Sequence, residues 1–185
     1  MIAETKTLLQ MAQSFAVADS EIGEIHRKLR HFDAHGLIKA APLPRDGRGT
    51  SHFDLREMLI GRLLLAASDI DMTCRDLGWL RNVIDHGRTV VFPECGNYEI
   101  SLDAIIPRIR GGENWLVELA SARSTDAEAR TTLSQWVRLR SDGHQLRFGA
   151  APLSPGVLLG DGRPIETVTY IHATNLLLPL IATEA

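Results

Sequence analysis

The side chains able to hold a polyanion gather in one early stretch of this 185-residue chain. Residues 20–35, SEIGEIHRKLRHFDAH, carry Ser20, His26, Arg27, Lys28, Arg30 and His31; residues 42–53, PLPRDGRGTSHF, carry Arg45, Arg48, Ser51 and His52. Cationic side chains neutralise phosphates and release their counterions. An arginine can also make paired hydrogen bonds to a guanine edge. The total charge says nothing about partners. Twenty Lys and Arg stand against 23 Asp and Glu, a formal net charge of -3, and nucleic-acid binding needs a local patch rather than a basic total.

Other chemistry is thinner. His31 and His35 stand at i, i+4, a spacing that can chelate a metal on a helix, but the sequence places no third ligand. A solvated or DNA-facing role is the expectation, with no cofactor or metal. Cys74 and Cys95 lack CxxC spacing and read as reduced thiols of a cytoplasmic protein. Trp79, Trp115 and Trp136 could line a ligand pocket, although core packing is the default for scattered tryptophans. The sequence contains no GxSxG, HExxH or P-loop, so no enzyme is expected. The glycines of GVLLGDG suit a hairpin turn better than a phosphate cradle.

The elements that must position the basic residues follow from periodicity. Residues 4–18 are expected to be helical, with Leu8, Leu9, Met11, Ala12 and Phe15 near helical spacing. Asp19 and Ser20 are candidate caps for a second helix. There Ile22, Ile25, Leu29 and Phe32 form one apolar stripe, and Glu24, His26, Arg27, Lys28, Arg30 and His31 stand opposite. Gly36 suits a left-handed helix stop. Leu37-Ile38 is an extended pair, and residues 42–53 form a hairpin with a glycine-bearing tip. Asp54 starts a third helix. Thr73 starts a fourth, which ends near Gly87.

After Gly87 the texture changes. TVVFP is a strand, SLDAIIPRIRGG a short helix with Pro107 near an end or kink, and ENWLVELASARS a strand. TLSQWVRLRS has a mixed period that separates neither helix from strand. A hairpin around residues 160–162 leads into a strand from Ile165 to His172. The late aliphatic run NLLLPLIA is too short to cross a bilayer and suggests an association surface. The start MIAETKTLLQ has no basic segment before a long apolar run, unlike a signal peptide. Hydrophobic residues at 44% are enough for a core.

The order helix, helix, hairpin, helix is that of a winged helix-turn-helix, and the residues carry a more specific likeness. Arg30-His31-Phe32-Asp33-Ala34-His35-Gly36-Leu37-Ile38 resembles R-x-[YF]-x-x-x-G-L-I of MerR-type transcriptional regulators. Arg45 to Phe53 resembles the wing that follows, R-x-x-x-G-Y-R-x-Y, with Ser51 where the family has an arginine. The resemblance covers about residues 8–86. It implies double-stranded DNA recognition by the second helix and a wing gripping phosphates, with the contact at Ser51 passed to Arg48 or His52. MerR regulators dimerise through a long helix after this domain, whereas here Gly87, Pro93 and Gly96 follow and no heptad run appears. The family also includes redox and metal sensors, which makes Cys95 a minor sensor candidate.

The expectation is therefore an α+β chain. A winged helix would occupy residues 1–87, and a small α+β domain without the long helix would occupy 88–185. That second domain would make a homodimer or receive a small-molecule or protein effector, and no membrane is involved. Sequence-specific transcriptional regulation leads. An excisionase-like architectural DNA-binding factor and a non-DNA ligand-binding or enzymatic module are the alternatives.

Overall fold

A computed structural model describes residues 5–42, 50–86, 88–92, 96–123, 130–148 and 164–182. It is mixed helix and antiparallel sheet, an α+β chain. Two compact units, Met1–Met72 and Thr73–Ala185, divide it. The change of texture at 87–88 is the change from helical to strand-bearing sequence, and it lies inside the second unit.

The first unit starts with α1, Leu8–Phe15, shorter than the 4–18 expected. Thr7 sets the start: its hydroxyl accepts from Gln10 N at 3.3 Å and the Gln10 side chain accepts from Thr7 N at 2.9 Å, a reciprocal cap. Asp19–Glu21 forms a single 3-10 turn before α2, Ile22–Ala34. The side-chain capping expected of Asp19 and Ser20 is not formed: Glu21 holds the cap position of α2 and makes no side-chain cap hydrogen bond there. Its carboxylate accepts from Val17 N at 2.8 Å and Ala18 N at 3.4 Å. Those donors precede the 3-10 turn, so the carboxylate reaches back to close that turn, and its charge suits the positive end of the helix that follows.

Helix α2 ends in a two-bond closure. Leu37 N donates to Phe32 O at 2.8 Å and Gly36 N to Asp33 O at 3.0 Å, the Schellman arrangement. Gly36 has the left-handed φ of +66° that this closure requires. Phe32 and Leu37, both buried, are the apolar pair that accompanies it. A Cβ at Gly36 would meet no atom within 4 Å, so only backbone strain opposes alanine. Gly36→Ala should cost about 1–2 kcal/mol, and Gly36→Asn clearly less, in urea unfolding; equal stability of the alanine variant would contradict this closure.

Past Gly36, Ile38 is buried and Lys39 N donates to the Glu57 carboxylate at 2.8 Å. That bond accounts for an acid only 7% exposed. Ala41 N donates to His52 O at 2.7 Å, and Lys6 and Phe53 exchange both backbone bonds at 2.9 Å. The segments flanking 42–51 are thus held side by side, and the tip at 43–49 lies outside the described residues. Asp54 caps α3, Leu55–Ser68, through Glu57 N, as expected. Helix α3 buries Met58, Leu59, Ile60, Leu63, Leu64, Leu65 and Ala67, burial on nearly every side that matches its nearly unbroken apolar run. Gly61 lets it come close: an added Cβ would lie 3.2 Å from Met11 and 3.5 Å from Leu29.

The second unit opens with α4, Cys74–Asp85, capped by Thr73 as expected. Strands β1, Arg88–Phe92, and β2, Gly96–Ile100, form an antiparallel ribbon. Ser101 caps α5, Leu102–Arg110, which carries Pro107 inside it. Strands β3, Asn114–Arg123, β4, Arg130–Leu139, β5, Gln145–Phe148, and β6, Ile165–Ile171, make an antiparallel sheet in the order β5-β4-β3-β6. The stretch with undecided period is β4. Gln135, Trp136 and Val137 are all buried in succession, so both of its faces are covered and neither period survives. Strand β6 pairs with β3, and the expected turn at 160–162 lies outside the described residues. The run NLLLPLIA, expected as an association surface, lies in helix α6, Ala173–Ala182. It buries Ala173, Leu177 and Ile181, spaced i, i+4, i+8. Helix α4 packs on β4, and α5 and α6 pack on β3.

Candidate nucleic-acid interface

The apolar stripe of α2 seats Leu29 and Phe32 in the core, which fixes what faces out. Gly23, Arg27, Arg30 and Ala34, at i, i+4, i+7 and i+11, are all exposed, as is His31 beside them. Two arginines thus stand on a ridge with only small neighbours at either end. Such a helix face can approach another surface closely, and the major groove, about 12 Å wide, admits a helix. Neither Arg27 nor Arg30 has an ion pair among the described residues. Ser20 is exposed at the helix entrance, and His26 is half-buried on the flank.

Lys28 is placed differently. Its ammonium lies 2.7 Å from Asp69 and 3.2 Å from Glu24, on the flank facing the end of α3. The Asp69 hydrogen bond holds its pKa above the ordinary lysine value. A raised cation pKa gives stabilisation that is complete below the unfolded value and lost only as pH rises past the folded one, so this contact is unchanged across neutral pH. The pairing leaves little net charge for a phosphate. Nearby, Arg62 lies over the Phe15 ring at 5.8 Å. Burial lowers its pKa, outweighing Asp69 and Glu21. The tertiary structure thereby separates one face of α2 into outward cations and a self-neutralised flank, a division invisible in the sequence.

Of the hairpin residues, Ser51 and His52 are half-buried next to the paired segments, while Arg45 and Arg48 lie outside the described residues. Part of the R-x-F-x-x-x-G-L-I pattern also has a local cause. Phe32, Gly36 and Leu37 are the three positions that close the helix, so this portion of the likeness marks helix termination, which leaves Arg30 as the position that helix closure does not explain.

The second unit holds charge of another kind. Glu118 of β3 is fully buried and Gln135 of β4 is 3% exposed. Gln135 Nε2 and Arg147 Nε, the latter from β5, each donate to the Glu118 carboxylate at 2.9 Å. Arg147 also donates to Gln145 at 2.6 Å. Burial works against the Arg147 charge, but its hydrogen bonds with Glu118 and Tyr170 win and its pKa is raised. With the Tyr170 hydroxyl of β6, this network spans four strands and was not singled out in the sequence. The available signal was one acid within the apolar run WLVELA.

An open cavity of about 580 Å³ lies by the turns after α5 and β4, lined by residues including Glu113, Arg138 and Arg140. Arg138 pairs with Glu113 at 3.0 Å and Arg140 with Asp142 at 3.2 Å, so an acidic effector would have to displace carboxylates already present. Trp115 and Trp136 pack edge to face at 6.3 Å in the core, whereas Trp79 is 58% exposed on α4. Cys74 is an exposed free thiol; Cys95 lies outside the described residues. No helix among the described residues is long and apolar enough to cross a membrane. No family model, curated protein or solved structure matches the chain.

Proposed function

We propose that this chain is a double-stranded DNA-binding transcriptional regulator whose first unit is a MerR-like winged helix-turn-helix. Helix α2 is its recognition helix and residues 43–53 are its wing. The observation that carries the reading is the outward ridge of α2, where Arg27 and Arg30 stand exposed between Gly23 and Ala34. The element order adds support: α1, α2, two segments brought together at Ala41 and His52, then α3. In this reading Arg30 grips a phosphate and Arg27 reaches a base edge. The second unit joins two copies, because two half-sites supply the affinity and specificity that one small module lacks. It also receives any small-molecule or protein effector. No catalytic step is assigned.

The test is binding of the full chain to random and selected duplexes, followed by fluorescence anisotropy across a salt series. Log affinity should fall linearly with log salt, with a slope of about -0.9 for each phosphate contacted, and selection should return a sequence with two-fold symmetry. No binding even at low salt would overturn the reading. Binding without sequence preference, accompanied by strong bending, would replace it with an architectural factor.

A further inference from the structure

We propose that His31 and His35 form a two-imidazole site for a divalent transition-metal ion at the carboxyl end of α2. The two side chains are exposed, their ring centroids lie 4.2 Å apart, and they offer nitrogens within 4.8 Å of each other. Metal–imidazole bonds of about 2.0–2.1 Å require donor nitrogens roughly 3 Å apart, a difference that exposed rings close by rotating about their side-chain bonds. The backbone beneath them is fixed. His35 N donates to His31 O at 3.1 Å, and the Gly36 and Leu37 bonds close the same turn. Both donors are therefore held by one rigid element, which limits the entropy lost on chelation.

The helix end favours a cation and works against the charge of Arg27, one turn before His31. The carboxyl end of a helix carries partial negative charge, and no ion pair engages either imidazole among the described residues. Imidazole selects the ion class: nickel, copper and zinc suit it, whereas magnesium and calcium prefer oxygen ligands. Because the site faces solvent, water completes the coordination shell. The site stands whether or not α2 contacts DNA, and its test needs no DNA.

The experiment is calorimetric titration of the untagged full chain with nickel chloride, with copper and magnesium chlorides in parallel. One nickel should bind per chain, copper more tightly, and magnesium not at all. His31→Gln and His35→Gln should each weaken nickel binding by about tenfold or more, because either change removes the chelate. His26→Gln should leave it unchanged. Nickel should also raise the melting temperature of the wild-type chain and of His26→Gln, but not of the two site variants. Absence of a saturable equivalent, or nickel affinities in both site variants equal to wild type, would overturn the proposal.

Discussion

Replacing Arg147 with methionine should lower the unfolding free energy of the second unit by about 3–5 kcal/mol, because it strands a buried carboxylate. Glu118 is fully buried, and its two hydrogen bonds come from Gln135 and Arg147. Methionine keeps much of the stem and removes the charge, so the loss reports the unpaired carboxylate rather than a hole. Stability of this size is a large share of what a unit of about a hundred residues possesses. A second variant isolates the cause. In Glu118→Gln/Arg147→Met the buried group is a neutral amide, which costs far less to bury than a charge, so part of the lost stability should return. Urea denaturation with a probe in the sheet, such as the fluorescence of buried Trp115 and Trp136, would follow both. An Arg147→Met chain within about 1 kcal/mol of wild type, the size of an exposed ion pair, would show that this network contributes no more than surface charges do.

The second large effect concerns DNA. Arg27→Ala/Arg30→Ala should reduce the magnitude of the salt slope by nearly two if both contact phosphates, and by about one if Arg27 reads a base. At about 0.1 M salt each lost phosphate contact corresponds to roughly a tenfold loss of affinity. The single variants separate the roles. Arg30→Ala should weaken specific and random duplexes alike. Arg27→Ala should cost about 1–3 kcal/mol of discrimination at one position of the site. Both should keep the wild-type melting temperature, since each side chain is exposed and neither has an ion pair among the described residues. Lys28→Ala is the internal control: its charge is already held by Asp69 and Glu24, so it should reduce affinity less than Arg30→Ala. If Lys28→Ala were the most damaging of the three, the orientation assigned to α2 would be wrong.

Legibility in the sequence tracked the range of the interactions involved. The starts of α3 and α4 could be read from Asp54 and Thr73, because a cap is a bond between a side chain and a backbone N–H three residues on. The stop at Gly36 was legible for the same reason. The first helix starts later than expected because the local cap at Thr7 fixes its first turn, and its span is that of the apolar positions Leu8 to Phe15. At the start of α2 short polar caps are expected, but Glu21 takes the cap position without a side-chain cap, and its carboxylate closes the preceding turn on Val17 and Ala18.

Where the answer depended on what covers a face, the sequence was silent. Strand β4 shows no clean period because consecutive residues are buried on opposite sides. The run NLLLPLIA reads as an association surface, and only the fold shows α6 packing its Leu177 and Ile181 inward. The buried Glu118 network joins residues 17 and 29 positions apart, and nothing near any one of them announces the others.

By itself, the sequence determined the local punctuation of the chain, the mixed α+β character and the gathering of basic side chains on the second helix. Those properties follow from bonds and spacings spanning a few residues. Only the tertiary structure decided which of those cations are available: Arg27 and Arg30 face out, while Lys28 is neutralised by an aspartate 41 residues away. It alone decided that Glu118 is tolerated in a buried strand, because Gln135 and Arg147 arrive there through strand pairing. A charge acts according to its partners and its access to water, and the partners that settle both are fixed by chain reversal rather than by neighbouring sequence.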